Sequence, residues 1–136
     1  MSVHPLKRIL IVDDDPDIRQ LLKMMLRIEG YDVVGEASNG MDVMKKIEKT
    51  MPGIVLLDIC MPGSSGFEVL EQVLDKHKEL KVIMISGSST SEDVARAIKK
   101  GAAGYIVKPF NTKNVVQNIQ RAIQSAVTEI KSQKAS

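Results

Sequence analysis

Arg8-Ile9-Leu10-Ile11-Val12-Asp13-Asp14-Asp15-Pro16 is the stretch on which the fold turns. Ile9 to Val12 are apolar without alternation, which marks a strand buried on both faces, the condition of a parallel sheet. Three acids follow where the chain must leave such a sheet. Asp15 then reads as a helix N-cap, and Pro16 sits at a first helical position, where its missing N–H costs nothing. Strand, acidic turn and helix together make one unit of an α/β fold.

The same unit recurs outward from this stretch. Including Arg8–Val12, five short β-branched runs punctuate the chain, the others being Val33–Ala37, Ile54–Leu57, Val82–Ile85 and Gly104–Val107. Helical periodicity fills the gaps between them. Ile18, Leu21, Leu22, Met25 and Leu26 follow the i, i+3, i+4, i+7, i+8 spacing of one apolar stripe. Further helices are predicted over Met41–Lys49, Gly66–Lys76, Ser91–Lys99 and Thr112–Ile130, the last with Val116, Ile119, Ile123 and Ile130 facing inward. Gly30, Gly53 and Gly101 stand where helices should stop, and Ser91 before Glu92 and Asp93 reads as an N-cap. Strands alternating with helices at this spacing give a parallel sheet with right-handed crossovers, an open α/β sandwich of five βα units. Residues 129–136, polar after Ile130, are expected to be a tail or the start of a linker, leaving residues 7–128 as one domain.

Composition narrows the function. With 43% apolar and 26% charged residues the chain is globular in character. Tryptophan is absent and aromatics are 3%, so the core must be aliphatic. A net charge of +2 without a concentrated basic run gives nucleic-acid binding no support. No apolar stretch approaches the roughly 20 residues that span a bilayer, and the N-terminus lacks a secretory h-region. The single cysteine, Cys60, fits a reducing compartment, so a cytoplasmic location is expected. Of the eight methionines, Met24, Met25, Met41, Met44 and Met84 read as core fillers, whereas Met61 is a candidate for exposure. Lys99, Lys100, Lys113 and Arg121 could form a mildly basic face, though such charges are usually only solvated surface.

In an open α/β sheet, ligands bind beyond the carboxyl ends of the strands. Those ends are chemically special here: Val12-Asp13-Asp14-Asp15, Leu57-Asp58, Ile85-Ser86 and Val107-Lys108-Pro109. Asp13, Asp14 and Asp58 would repel one another unless a proton or a cation intervened. An oxygen-only set, with His4 and His77 elsewhere, favours a hard cation such as Mg2+ over zinc. Lys108 adds an ammonium and Ser86 a hydrogen-bond donor. A nucleophilic carboxylate, a metal site and donors for phosphoryl oxygens are the parts that phosphoryl transfer to an aspartate requires. Taken singly, each residue has a plainer reading: a solvated strand-end acid, a turn former before Met61-Pro62-Gly63, a turn serine before Gly87, a surface lysine. Their joint placement at four of five strand ends is what singles them out.

With those motifs in hand, the chain closely resembles the receiver domains of response regulators in two-component signalling, and in size the single-domain, chemotaxis-type forms. The matching stretches are Ile9 to Asp14, Leu56 to Gly63, Ile85-Ser86-Gly87 and Gly101 to Phe110, within a resemblance running from about Lys7 to Ala126. The family implies a (βα)5, flavodoxin-like, doubly wound sheet of strand order 2-1-3-4-5. It also implies that Asp58 is the phosphoacceptor for a sensor histidine kinase or a histidine phosphotransfer protein. Mg2+ would be held by Asp14, Asp58 and the Cys60 backbone carbonyl, with Asp13 acting through a water. By the same resemblance Ser86 is the switch hydroxyl, Tyr105 the switch aromatic, Lys108 the paired ammonium, and Lys108–Pro109 a cis peptide bond. Tyr105 has a plainer reading as a half-buried ring packed on the last helix. Output would pass by protein contact, through the face of the fourth helix, fifth strand and last helix, from a monomer or a weak dimer formed on activation. Such a domain catalyses only its own phosphorylation and dephosphorylation.

The chain departs from the family pattern at Ser64 and Ser65, which make the loop after Asp58 less acidic, and at Cys60, in a position that tunes phosphoryl lifetime. Three competing readings need separating. A flavin mononucleotide carrier would share the sheet, but Asp13-Asp14-Asp15 would repel its phosphate. An aspartate-nucleophile phosphohydrolase would need an acid where Cys60 stands. A receiver-shaped module that is never phosphorylated would have no use for the acids, Ser86 and Lys108.

Overall fold

The computed structural model describes residues 5–135, with side chains through Ser132. Its main sheet has five parallel strands: β1 (Arg8–Val12), β2 (Asp32–Ala37), β3 (Ile54–Asp58), β4 (Lys81–Ser86) and β5 (Gly104–Val107). Their spatial order is β2-β1-β3-β4-β5. The direction reverses between β1 and β3, which places the switch point of the sheet beside the acidic turn after β1. The helices are α1 (Pro16–Ile28), α2 (Val43–Thr50), α3 (Gly66–Lys76), α4 (Ser91–Lys99) and α5 (Thr112–Ala135).

Period-two alternation sorts the aliphatic strands onto two faces. Ile9, Ile11, Ile54, Leu56, Ile83 and Ile85 point toward α1 and α5, where Leu22, Leu26, Val115, Ile119 and Ala122 complete one core. Leu10, Val12, Val55, Leu57, Val82 and Met84 point the other way, against Val43 and Ile47 of α2, Phe67 and Leu70 of α3 and Ala97 of α4. The central strand β3 is buried throughout, so its carboxyl end, Asp58, is fixed by neighbours on both sides. Among the described residues no helix is long and apolar enough to cross a membrane.

Several local expectations are corrected. Asp15 does cap α1, accepting from the Asp17 amide, but α4 is capped by Thr90, which accepts from the Asp93 amide, and not by Ser91. The predicted Met41–Lys49 helix divides into a 3-10 turn, Gly40–Asp42, and α2. Gly30 and Gly101 follow their helices at φ +87° and +101°, but α2 is ended by left-handed Met51, φ 49°. Gly53 serves close approach instead, since a Cβ there would lie 2.4 Å from the Pro5 carbonyl oxygen. On α1, Leu21 is exposed, as are Met24 and also Met41 of the 3-10 turn, because helix periodicity alone cannot set the angular width of the buried stripe. Met61, by contrast, is buried.

On α5 the inward residue is Val115 and not Val116, and Ile130 is 47% exposed. The helix also continues past Ile130 to Ala135, so the described polar residues there are helical. Polar residues such as Lys and Gln are good helix formers, and with no Gly or Pro after Thr112 nothing in the sequence stops the helix. His4 lies outside the described residues.

Candidate functional site

The site forms where β1, β3, β4 and β5 end together. β2 anchors the first of these ends, the Asp13 amide donating to the Ala37 carbonyl at 3.1 Å. Asp13 is fully buried, and its Oδ1 accepts from the Asp15 amide at 2.9 Å. Asp58 is also buried, and its Oδ1 accepts from the Cys60 amide at 3.2 Å. Asp14, the third acid, is exposed. One carboxylate oxygen from each of the three lies within 4.8 Å of the others. Lys108 reaches across from the end of β5, its Nζ 3.0 Å from Asp13 Oδ2 and 3.6 Å from Asp58 Oδ2. The Lys108–Pro109 peptide is cis, and the Lys108 amide donates to the Ser86 carbonyl at 2.7 Å.

Electrostatics show the strain of this gathering. Burial, and then the charge of Asp13, push the Asp58 carboxyl up to about 6, against the opposing pull of Lys108 and the Cys60 amide. Burial lowers the Lys108 ammonium, but the close contact and charge of Asp13 and the charge of Asp58 outweigh it, leaving lysine above its ordinary value. One ammonium contacts two of the three acids, and Asp14 adds a further negative charge beside them. Asp13 Oδ2 is buried and its contact with Lys108 is an ion pair poorly aligned as a hydrogen bond, so it keeps capacity for another cation. An all-oxygen, net-negative set of this kind suits a hard divalent ion.

Ser86 and Tyr105 form the adjoining part. Ser86 is buried and follows Ile85, which pairs with Asp58 across the sheet. Its Oγ accepts from the Ser88 amide at 3.0 Å, so the hydroxyl is turned into the loop after β4. The Tyr105 hydroxyl donates to the Ser88 carbonyl at 2.8 Å, while its backbone amide donates to Asn118 Oδ1 at 3.2 Å. The ring is partly buried against the core on the α2–α4 side, so it is tied to the loop as well as packed. Ser88 thus joins the strand-end hydroxyl to the ring through two different groups of its backbone.

Three features of the site were not read from sequence. Cys60–Met61 and Ser64–Ser65 pair as a two-residue antiparallel hairpin, which leaves the Cys60 side chain exposed and turns its amide onto Asp58. Gly66 opens α3 against the end of β3: a Cβ there would lie 2.5 Å from the Asp58 carbonyl oxygen and 2.5 Å from Ile59 Cα. The third is Arg19, whose Nη1 donates to the Asp13 carbonyl at 2.7 Å. A glycine at a helix start and an arginine six residues after an acid carry little signal by themselves.

Comparison with known proteins agrees with this geometry. The family model described as the response regulator receiver domain matches residues 9–120. The chain is 41% identical over 115 residues to the chemotaxis protein CheY of Listeria monocytogenes, covering 85% of this chain and 97% of that protein. It is 37% identical to CheY of Thermotoga maritima, covering 85% and 96%. Among solved structures, a CheY-like receiver domain protein from Methanospirillum hungatei superposes with TM-score 0.81 at 33% identity, over 90% of this chain and 97% of that one. A CheX–CheY–BeF3–Mg2+ complex from Borrelia burgdorferi gives TM-score 0.82 at 30% identity, over 85% and 88%. On sequence, strand order and strand-end chemistry together, this chain belongs to the response regulator receiver domain family and is a component of phosphorylation-dependent two-component signalling.

Proposed function

We propose that Asp58 is the phosphoacceptor of a signalling switch charged by a histidine kinase or a histidine phosphotransfer protein. The observation that carries this reading is the buried Asp58 carboxylate held beside Asp13 under one shared ammonium, Lys108. An Asp58 oxygen attacks the phosphorus of the donor's phosphoimidazole; the O–P bond forms, the N–P bond breaks, and the imidazole nitrogen leaves and takes a proton from water. As the carboxylate becomes an acyl phosphate, Lys108 shifts its charge from Asp58 to a phosphoryl oxygen, and Ser86 turns its hydroxyl from the Ser88 amide to donate to another. Mg2+, held by Asp14, Asp58 and the Cys60 carbonyl with Asp13 acting through a water, would supply the remaining neutralisation of those oxygens.

Movement of Ser86 releases the Ser88 loop, and Tyr105 carries the change to the surface made by α4, β5 and α5. Ile98 and Val107, both exposed, support that surface as the output contact for a protein partner. The domain would act in the cytoplasm, as a monomer or a weak dimer on activation, and turn over only its own phosphoryl group, with hydrolysis at a rate that Cys60 helps to set.

Incubation with Mg2+ and acetyl phosphate, followed by intact mass measurement, tests this. The unmodified protein gains the mass of one phosphoryl group and Asp58→Asn gains none. Equal labelling of both would reject Asp58 as the acceptor, and no labelling of either would favour an unphosphorylated interaction module.

A further inference from the structure

We propose that Arg19 is a positioning residue for the metal-facing acids, fixing the Asp13–Asp14 peptide plane through the Asp13 carbonyl while Glu36 of β2 holds the guanidinium in place. The inference rests on the reading of Asp13 and Asp14 as part of a divalent cation site.

Arg19 lies one turn into α1, where its own amide bonds the Asp15 carbonyl in the ordinary helical ladder. Its guanidinium instead reaches back past the helix start to a carbonyl six residues earlier, at 2.7 Å. A cation near a helix N-terminus opposes the helix dipole, so this placement needs a compensating partner. Glu36 provides one: Arg19 Nε lies 3.2 Å from Glu36 Oε1, and Lys23 Nζ, one turn further along α1, lies 2.9 Å from Oε2. The Arg19 side chain is only 19% exposed. Burial alone would raise the Glu36 carboxyl, yet Lys23 and Arg19 hold it below the usual range, so it is an anionic anchor at neutral pH.

The consequence lies in the backbone. A peptide unit is planar, so fixing the Asp13 carbonyl oxygen fixes the orientation of the Asp14 amide and the direction in which Asp14 departs. The other side of Asp13 is already held, its amide donating to the Ala37 carbonyl. Strand β2 therefore grips both ends of Asp13: Ala37 directly, and Glu36 through Arg19. Asp13 is positioned twice over by its burial, but Asp14 is exposed and depends on the backbone for its aim.

The test is Mg2+ titration calorimetry on the full chain, with urea denaturation in chelator to establish that each variant is folded. Arg19→Gln should weaken Mg2+ binding about tenfold, the lower end of what loss of an orienting partner costs a metal site, while Lys23→Ala stays within about twofold. Arg19→Lys should recover part of the loss, and Glu36→Gln, which frees the guanidinium without deleting it, should show a smaller loss than Arg19→Gln. Unchanged Mg2+ affinity in Arg19→Gln, or in Glu36→Gln should Arg19→Gln fail to fold, would overturn the role of Arg19 and leave the metal site standing. Absence of Mg2+ binding by the unmodified protein would overturn both.

Discussion

Replacing Asp58 by Asn should make the metal-free protein more stable at neutral pH, and the size of the gain follows from its surroundings. The carboxyl is buried and its ionisation is displaced from 3.8 to about 6 by burial and by Asp13. At about 1.4 kcal/mol per pH unit, ionising Asp58 in the folded state costs about 3 kcal/mol more than in the unfolded chain. The folded pKa is the higher one, so the folded state holds the extra proton between about pH 4 and pH 6. Stability on this account is fully present below the unfolded value and is lost as pH rises through about 6. The amide of Asn is neutral throughout, and Lys108 retains Asp13 at 3.0 Å as its partner. Urea denaturation in chelator should therefore give Asp58→Asn a gain of about 3 kcal/mol at pH 7.5, on the order of 10 °C in Tm for a chain of this length. The gain should shrink through pH 6 and disappear below pH 4. Mg2+ should narrow it by stabilising the unmodified protein selectively. A variant no more stable at pH 7.5, or a gain of equal size at pH 4 and pH 7.5, would refute the account of Asp58 as a carboxylate held against its own electrostatics.

Two further substitutions probe the supports of the site. Gly66→Ala should cost about 3 kcal/mol in denaturant unfolding, because its Cβ would meet the backbone of Asp58 and Ile59 and not a flexible side chain; a change under about 0.5 kcal/mol would remove the close approach from the explanation. Tyr105→Phe keeps the ring packing but removes the donor to the Ser88 carbonyl, so stability should fall by about 1 kcal/mol and amide exchange in residues 86–91 should quicken; unaltered exchange would show that the hydroxyl does not restrain that loop.

The parallel sheet could be read from sequence because strands buried on both faces carry unbroken apolar runs, and β1 and β3 are of that kind. Strand ends then follow from the first polar residue, which assigns Asp13, Asp58, Ser86 and Lys108 to one edge of the sheet. Helix faces were less readable. Leu21 and Val116 satisfy helical spacing and still miss the core, because periodicity gives an axis and not the width or rotation of the stripe. Thr90 and Ser91 are both good caps, and choosing between them needs the backbone angles at the helix start. Asp13 follows β1, Arg19 lies on α1 and Glu36 on β2, and their link is purely tertiary. Charge pairs separated by such distances along the chain leave no local pattern to detect.

The hydroxyl of Tyr105 on the Ser88 carbonyl has an optical consequence. The chain has no tryptophan and two tyrosines, Tyr31 and Tyr105, so its near-ultraviolet emission comes from those two rings. Tyr31 packs on the opposite side of the sheet, beside α1 and β2, away from the loop after β4. Any rearrangement of that loop alters the hydrogen bonding of one chromophore and spares the other. The protein thus carries its own spectroscopic probe of the loop after β4, readable in unlabelled material.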